Sequence, residues 1–318
     1  MTDQAQRFGG HVDSWTERAI DAIAKNAIAG AAELAEQGAD VLLRCARVDE
    51  TANLAAFNEQ VLRISIALIR AQPAMAPLVN LANMALWELD ACRTHADART
   101  RLAALVRDFK RRLRMHETAI AEAVLPLIPD QAVVLTHSRS ATVRAALLLA
   151  QRAGRQLTVV CAEGRPNYEG RVMATELAAQ HIPVRLVIDA LAASRAATAD
   201  LVLVGTDHLN HDGLANKAGT FGIAMAAKSV GVPVYALCSS SKFLPPGYAR
   251  PKQHHRPPEQ VWDQAPASVQ VENFYFDYTS LDSIASIVTE RGALPPAVIE
   301  GWLAALQLHP ALAASQAG

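Results

Sequence analysis

The stretch that decides the fold is Val133-Val134-Leu135-Thr136-His137-Ser138-Arg139-Ser140, an apolar run that turns polar and continues directly into a helical pattern. Further apolar runs of four or five residues follow at 157–161, 184–188, 201–204 and 234–237. Short apolar strands that alternate with helices are typical of a parallel sheet covered on both faces. Because crossover connections are right-handed, the pattern predicts a doubly wound α/β domain.

The segments between and after these runs complete the predicted domain. Their apolar spacing predicts helices at 140–153, 171–180, 192–199 and 216–230. Residues 245–270 are rich in Pro, Gln and His and are interpreted as a long loop. A strand at 274–276 and a helix near 281–290 are expected to close the domain.

The first part of the chain has a different pattern. From about Ser14 to Val124, apolar residues recur three and four positions apart, which predicts helices almost throughout. Two prolines and an aspartate within 125–130 end this region and predict a hinge. The predicted fold is therefore α/β: an N-terminal all-helical domain over 1–128, followed by a doubly wound, mostly parallel Rossmann-like sheet domain over 129–318 that carries the site.

Composition excludes several classes of partner. Of the 318 residues 51% are hydrophobic and 19% charged, which supplies a sizeable core, and the net charge of -1 argues against nucleic acid or an anionic membrane as partner. No apolar run reaches the ~18 residues of a membrane span. The four cysteines lack close spacing, and no His, Cys or Asp cluster has the spacing of metal ligands. We therefore expect a cytoplasmic protein with no metal and no cofactor.

Several common catalytic signatures are absent from the sequence. No G-x-G-x-x-G follows a predicted strand, and the P-loop, H-E-x-x-H and G-x-S-x-G patterns do not occur. These absences disfavour a dinucleotide dehydrogenase, a P-loop NTPase, a zincin and a standard α/β hydrolase.

Polar residues follow the predicted strands where ligands of a doubly wound sheet bind, beyond the carboxyl ends. Exposed N–H groups at two helix starts, with Arg139, Arg165 and Lys217 nearby, would make a phosphate site. The alternative interpretation is structural: Ser138 and Ser140 are N-caps, Lys217 lies on the surface, and Arg165 begins a turn. The residue pattern leaves both open.

Asp207 also follows a strand, in the phrase Gly205-Thr206-Asp207-His208. A carboxylate at a buried strand end loses hydration, so its pKa is expected to be raised, as a catalytic acid requires. The alternative is an aspartate that caps a helix or a turn.

Residues 130–300 resemble the superfamily of initiation factor 2B regulatory subunits (alpha, beta, delta), which also contains ribose-1,5-bisphosphate isomerase and methylthioribose-1-phosphate isomerase. The resemblance rests on short phrases in the same order: Leu135-Thr136-His137, Glu163-Gly164-Arg165-Pro166, Ile182-Pro183-Val184, Ile188-Asp189, Gly205-Thr206-Asp207, Asn216-Lys217-Ala218-Gly219-Thr220, Lys242-Phe243, the Arg-x-Pro-x-x-Val phrase of 256–261, Phe276-Asp277-Tyr278-Thr279 and Thr289-Glu290-Arg291-Gly292.

The resemblance implies a set of roles. The isomerases of this superfamily use a Cys directly after Thr-His and the Asp of Gly-x-Asp to move a proton between adjacent sugar carbons. Asp207 would be the acid, and Ser138 stands in place of the Cys, where His137 or His208 would have to activate it. The substrate-binding residues implied are Arg139, Arg165, Glu169, Asn216, Lys217 and Lys242.

The sequence also departs from the superfamily pattern in the phosphate-binding and sugar-binding phrases. Ala29-Gly30-Ala31 lacks the Arg of an Arg-Gly-Ala phosphate phrase, and Gln72 precedes Pro73 where a second Arg is expected. Glu169 replaces a Gln that contacts sugar. Cys161, at a strand end, is an alternative thiol or a core residue.

Two functions stay open. One is an aldose–ketose isomerase of altered specificity that acts on a phosphorylated pentose. The other is a non-catalytic regulatory or assembly subunit that binds a phosphorylated metabolite or nucleotide. In either case the resemblance implies a phosphorylated small molecule as ligand and a homodimer or higher homo-oligomer formed through the sheet domain.

Overall fold

A computed structural model describes residues 13–26, 28–249, 251 and 255–315. The chain divides into two compact units, one made of the described parts of 1–114, 243–251 and 305–318, the other of 115–242 and 252–304. The division falls inside the long helix α5 (His95–Val124). The predicted limits at 128 and 129 stay a prediction, because compactness alone does not show which segment folds independently.

The first unit is helical, as predicted. Its elements are α1 (Ser14–Lys25), α2 (Ala31–Arg47), α3 (Leu54–Ala71), α4 (Ala76–Asp90), the beginning of α5 and α11 (Pro310–Ala314). In the described ranges, no helix has both the length and the apolar character that crossing a membrane requires.

Gln72, where the resemblance implies an arginine, has a structural role in this unit. Its buried side-chain amide donates hydrogen bonds to the carbonyl oxygens of Ile23 and Asn26, at 2.9 and 3.0 Å. These carbonyls lie at the end of α1, where the last turn of a helix leaves its acceptors without partners. Gln72 therefore caps α1.

The second unit contains a seven-stranded sheet in the order β10-β9-β7-β4-β1-β2-β3. Its strands are β1 (Ala132–His137), β2 (Leu157–Ala162), β3 (Val184–Val187), β4 (Leu201–Val204), β7 (Val234–Leu237), β9 (Ser286–Thr289) and β10 (Gly292–Leu294). All neighbouring strands pair in parallel except β10, which is antiparallel to β9. This confirms the mostly parallel sheet.

Helices join these strands, and their buried faces form the core with the sheet. They are α6 (Ala141–Arg152), α7 (Glu169–Ala178), α8 (Asp189–Ala196) and α9 (Thr220–Ser229), and α10 (Pro296–Ala305) follows the last strand. Val134, Leu147 and Leu203 are fully buried in one cluster at the centre of the sheet. Every residue of β4 is buried, which explains why its sequence is continuously apolar rather than alternating.

A second sheet, β5 (His208–Asn210), β6 (Gly213–Lys217) and β8 (Phe276–Thr279), corrects one prediction. The helix expected over 216–230 begins only at Thr220, and Asn216 and Lys217 lie on β6 instead. Both neighbours of β6 pair with it in antiparallel register. Because β6 is buried along its whole length, no alternation of apolar and polar residues marks it as a strand.

The helix predicted near 281–290 is wrong. A single 3-10 turn at Leu281–Ser283 is followed by β9, which pairs with β7. The β-branched residues Ile287, Val288 and Thr289 are buried there, and such residues favour a strand packed on both faces. The strand predicted at 274–276 is displaced toward the C-terminus: β8 begins at Phe276 and ends at Thr279. In its described part, the predicted loop 245–270 contains one 3-10 helix, Pro258–Gln260; Arg250 and residues 252–254 lie outside the described residues.

Candidate functional site

Four charged side chains lie at the carboxyl edge of the large sheet: Asp207, Glu169, Lys217 and Lys242. Because β1, β2, β4 and β7 are parallel, the loops that follow them leave from one edge. Lys242 and Lys217 lower the pKa of the Asp207 carboxyl and Glu169 raises it, so the other three charges all act on Asp207. We call these four residues the carboxyl-edge site.

Asp207 follows β4 and is only partly accessible to solvent. The loss of hydration raises the pKa of its carboxyl to about 6, against the opposing effect of Lys242 and Lys217. Its backbone N–H donates to the carbonyl of Ala215 at 2.9 Å, whereas within the described part of the chain its carboxylate accepts no hydrogen bond. Asp207 is therefore not a cap, and its side chain can hold a proton near neutral pH.

Lys217 and Glu169 form an ion pair inside the protein. Lys217 Nζ lies 3.0 Å from Glu169 Oε1, and the two side chains are 3% and 8% exposed. Lys217 is thus not the surface residue that the structural alternative assumed. Glu169 begins α7 and Lys217 ends β6, so the second sheet supplies the partner. The other oxygen of Glu169, Oε2, is buried and accepts no hydrogen bond in the described structure.

His137 ends β1 and Ser138 follows it, and in the ranges that the structure describes the two side chains are not hydrogen-bonded to each other. His137 Nε2 lies 2.8 Å from the carbonyl oxygen of Ala218, which can only accept, so Nε2 carries the proton. Burial lowers the pKa of His137 and keeps the ring neutral. Ser138 has a left-handed backbone (φ 65), and among the described residues no histidine nitrogen bonds its hydroxyl. His208 Nε2 instead bonds the Tyr278 hydroxyl.

Both helix starts considered for phosphate already have side-chain partners. The Ser140 side chain accepts from the Val143 N–H at 3.4 Å and caps α6. At α9, one carboxylate oxygen of Asp277 accepts from the N–H groups of Gly219 and Phe221, at 2.7 and 3.1 Å. Of the N–H groups at these two helix starts, those of Val143, Gly219 and Phe221 thus have side-chain acceptors, and the N-cap alternative holds for Ser140.

The two arginines are engaged as well. Arg139 forms a two-pronged hydrogen-bonded ion pair with Glu176 of α7, with Nη2 3.0 Å from Oε1. Arg165 is exposed and donates to the carbonyl oxygen of Val261 at 3.1 Å. The turn predicted at Arg165-Pro166 is present and contains a cis peptide. These arginines fix loops around the carboxyl-edge site.

The remaining predicted residues also have local partners. Asn216 is buried and its side-chain amide donates to Thr220 Oγ1 at 3.0 Å. Burial raises the pKa of the Cys161 thiol to about 12, as expected of a core residue rather than a reactive thiolate. Within the residues that the structure describes, no group of three His, Cys, Asp or Glu side chains is arranged to hold a metal ion.

Three residues near the site were not predicted from the sequence. Asp189 accepts from the N–H groups of Gly164 and Arg165, at 2.8 and 2.6 Å, and so fixes the loop after β2. Asp277 caps α9, and the Tyr275 ring centroid lies 4.9 Å from Lys217 Nζ. Asp189 follows the predicted strand 184–188 as Asp207 follows 201–204, so the same signal could have identified it, whereas Asp277 lies inside β8 and has no such signal.

Comparisons with known proteins identify the relatives of this chain. It is 29% identical to the ribose 1,5-bisphosphate isomerase of Haloterrigena turkmenica over 294 residues, which cover 88% of this chain and 90% of that protein. It is 32% identical to the methylthioribose-1-phosphate isomerase of Gemmatimonas aurantiaca over 301 residues, covering 88% and 85%. It is 30% identical to a putative translation initiation factor eIF-2B subunit 2-like protein of Pyrococcus furiosus over 274 residues, covering 85% and 92%.

The fold is shared with solved structures. The translation initiation factor eIF-2B of Pyrococcus horikoshii superposes with a TM-score of 0.79 at 26% identity, over 91% of this chain and 99% of that one. The sequence profile of the Initiation factor 2 subunit family matches residues 27–296, which confirms the resemblance found in the short phrases. The chain belongs to the Initiation factor 2 subunit family.

Proposed function

We propose that the carboxyl-edge site binds a phosphorylated sugar and that the protein is an aldose–ketose isomerase of altered specificity, with Asp207 as general acid. The observation that carries this proposal is the Asp207 carboxyl, whose pKa of about 6 allows it to hold and release a proton near neutrality. Two relatives bear the names of isomerases of phosphorylated ribose derivatives, which supports the choice of substrate class.

Each half of the reaction needs two proton transfers. A base removes a proton from the carbon beside the carbonyl, and Asp207 protonates the carbonyl oxygen, so that an enediol forms; the reverse steps at the neighbouring positions give the isomer. Ser138 occupies the position of the base. Lys242 attracts the carboxylate of Asp207 after proton release, and Asn216 and Lys217 on β6 would position the sugar.

The second candidate is a non-catalytic subunit that binds a phosphorylated metabolite or nucleotide at the same place. The arrangement around Ser138 favours it, because His137 Nε2 is committed to Ala218 and His208 Nε2 to Tyr278. A serine hydroxyl without a basic partner is a poor proton acceptor.

One experiment separates these functions. Ribose 5-phosphate and ribose 1,5-bisphosphate are titrated into the protein and into Asp207→Asn while NMR follows ketose formation. An isomerase binds at least one of these sugars and forms a ketose, and Asp207→Asn loses turnover by about 10²-fold or more while it keeps binding. Binding without turnover in the parent supports the non-catalytic subunit. Absence of binding of either sugar at millimolar concentration contradicts the proposed isomerase.

We further propose that the protein forms a homodimer through its sheet unit. Helices α8 and α9 pack together, and they expose Leu191, Phe221 and Met225, which are 40%, 48% and 44% accessible. Exposed apolar side chains that lie close together mark interaction surfaces. Relatives of known structure include a tetrameric assembly of eIF2B-beta and eIF2B-delta from C. thermophilum, which shares this fold.

A further inference from the structure

The ion pair between Lys217 and Glu169 changes what the site can offer to an anionic ligand. The ammonium and carboxylate groups lie 3.0 Å apart and are almost completely buried. Opposite charges at this distance interact far more strongly away from water than at the surface. Lys217 therefore meets a ligand with its charge already balanced.

Neighbouring contacts hold the pair in place. Asn167 Nδ2 lies 3.4 Å from Glu169 Oε1, and Asn167 Oδ1 accepts from the Tyr275 hydroxyl at 3.2 Å. The ring of the same tyrosine lies beside Lys217 Nζ. Tyr275 thus contacts both Lys217 and Asn167, and Asn167 contacts Glu169. Glu169 therefore cannot turn away from Lys217 without breaking several contacts.

Neither Arg139 nor Lys242 supplies the positive charge that Lys217 no longer offers to an anionic ligand. Arg139 is neutralised by Glu176, and the charge of Lys242 acts on Asp207. The carboxyl-edge site has two anions and two cations, so its net charge is zero with Asp207 ionised and one positive charge with Asp207 protonated. A phosphate monoester carries about -1.5 to -2 near neutral pH, and two phosphates carry roughly twice that.

We propose that Glu169 is a specificity-determining residue that restricts this site to sugars with a single phosphate, because it neutralises Lys217. The inference rests on the proposed binding of a phosphorylated sugar and names its class more narrowly. A second phosphate would bring about two further negative charges to a site whose four charged side chains already balance one another.

Calorimetric titration of three proteins tests this inference. The wild type, Glu169→Gln and a control, Glu163→Gln, are titrated with ribose 5-phosphate and with ribose 1,5-bisphosphate. Glu163 is a matched control, since it also pairs with a cation, Arg171, at 2.7 Å, but Arg171 is 52% exposed and is not part of the carboxyl-edge site. We expect the wild type to bind the monophosphate at least tenfold more tightly. Glu169→Gln frees Lys217 and shifts the affinity ratio at least tenfold toward the bisphosphate, whereas Glu163→Gln keeps the wild-type ratio.

A double variant shows whether a change in the affinity ratio comes from the charge of Lys217 or from damage to the fold. Glu169→Gln with Lys217→Gln keeps the site neutral, so its ratio is expected within threefold of the wild type, with thermal unfolding to show that each variant is folded. A ratio in Glu169→Gln equal to that of the wild type, or a wild type that prefers the bisphosphate, overturns the inference and leaves the proposed function standing. If neither sugar binds the wild type at millimolar concentration, the proposed function fails and this inference fails with it.

Discussion

Gly219 lies directly against His137, and a Cβ atom built on Gly219 would be 2.9 Å from His137 Nε2. Gly219 also has a φ of +110, which side chains other than hydrogen rarely allow. The contact matters because His137 Nε2 donates to Ala218 and so joins the end of β1 to the start of α9. One glycine therefore makes possible the approach of two elements that carry site residues.

Gly219→Ala is expected to lower the free energy of unfolding by about 1–3 kcal/mol, because the new methyl group strains the backbone and displaces the His137 ring. Chemical denaturation measures this change. Gly301→Ala is the matched control, since Gly301 is helical and has no atom within 4 Å of the added Cβ. That variant is expected to be neutral or stabilising by up to ~1 kcal/mol. Equal effects of both variants would show that the Gly219 contact is unimportant.

Asp207 should give stability a specific pH dependence. Its pKa is raised from 3.8 in the unfolded chain to about 6 in the folded protein, so the folded state binds the proton more tightly. The contribution of this group to stability is therefore complete below about pH 4 and is lost as the pH rises to about 6, by on the order of 3 kcal/mol. Asp207→Asn removes it.

The measurement is the difference in free energy of unfolding between wild type and Asp207→Asn at several pH values. We expect the free energy of unfolding of the wild type to fall relative to that of the variant between pH 4 and 6. Above that range the difference should be constant. A difference that does not vary with pH would mean that the Asp207 pKa is not raised. Asp212→Asn is a control, because Asp212 is exposed.

Ser138→Cys should raise isomerase turnover. A thiol with a pKa of ~8.5 supplies far more of the basic form near neutral pH than a hydroxyl does. The expected gain is at least tenfold in kcat, measured as ketose formation from a sugar phosphate. Ser229→Cys, on the exposed end of α9, should not change the rate. If Ser138→Cys leaves the rate unchanged while the sugar still binds, Ser138 does not occupy the position of the base.

Phe221→Glu should weaken self-association. The Phe221 side chain is exposed on α9, and a charge placed in the centre of an apolar contact surface opposes its burial. Light scattering coupled to gel filtration is expected to show a dimer for the wild type and a smaller species for the variant. The control is Val298→Glu, at an exposed position on α10. Phe274 is less suitable as a control position because its ring packs on His255. A wild-type monomer would contradict the proposed homodimer.

Five strands of the large sheet, β1, β2, β3, β4 and β7, could be predicted because their residues carry the information locally. Val133 to Thr136 is a short apolar run that leads into a helix capped by Ser140. A short apolar run is typical of a buried strand, and a serine before a helical pattern is typical of an N-cap. The position of Asp207 followed from the same reasoning, since the end of a parallel strand fixes the edge on which the next residue lies.

What could not be predicted depends on partners distant in the sequence. Lys217 follows a polar turn, and only its pairing in β6 with β8, 59 residues away, turns it inward to Glu169. The capping of α9 by Asp277 likewise joins residues more than 50 positions apart. The residue pattern alone does not show whether a lysine is solvated or paired.

The proposed isomerase function requires above all that a phosphorylated sugar binds beside Asp207. The most direct test is a crystal structure of the protein with ribose 5-phosphate at millimolar concentration. We expect the sugar within hydrogen-bond distance of the Asp207 carboxyl and of Lys242 Nζ. A sugar bound elsewhere, or a carboxyl-edge site that stays empty at a concentration saturating in solution, would contradict it.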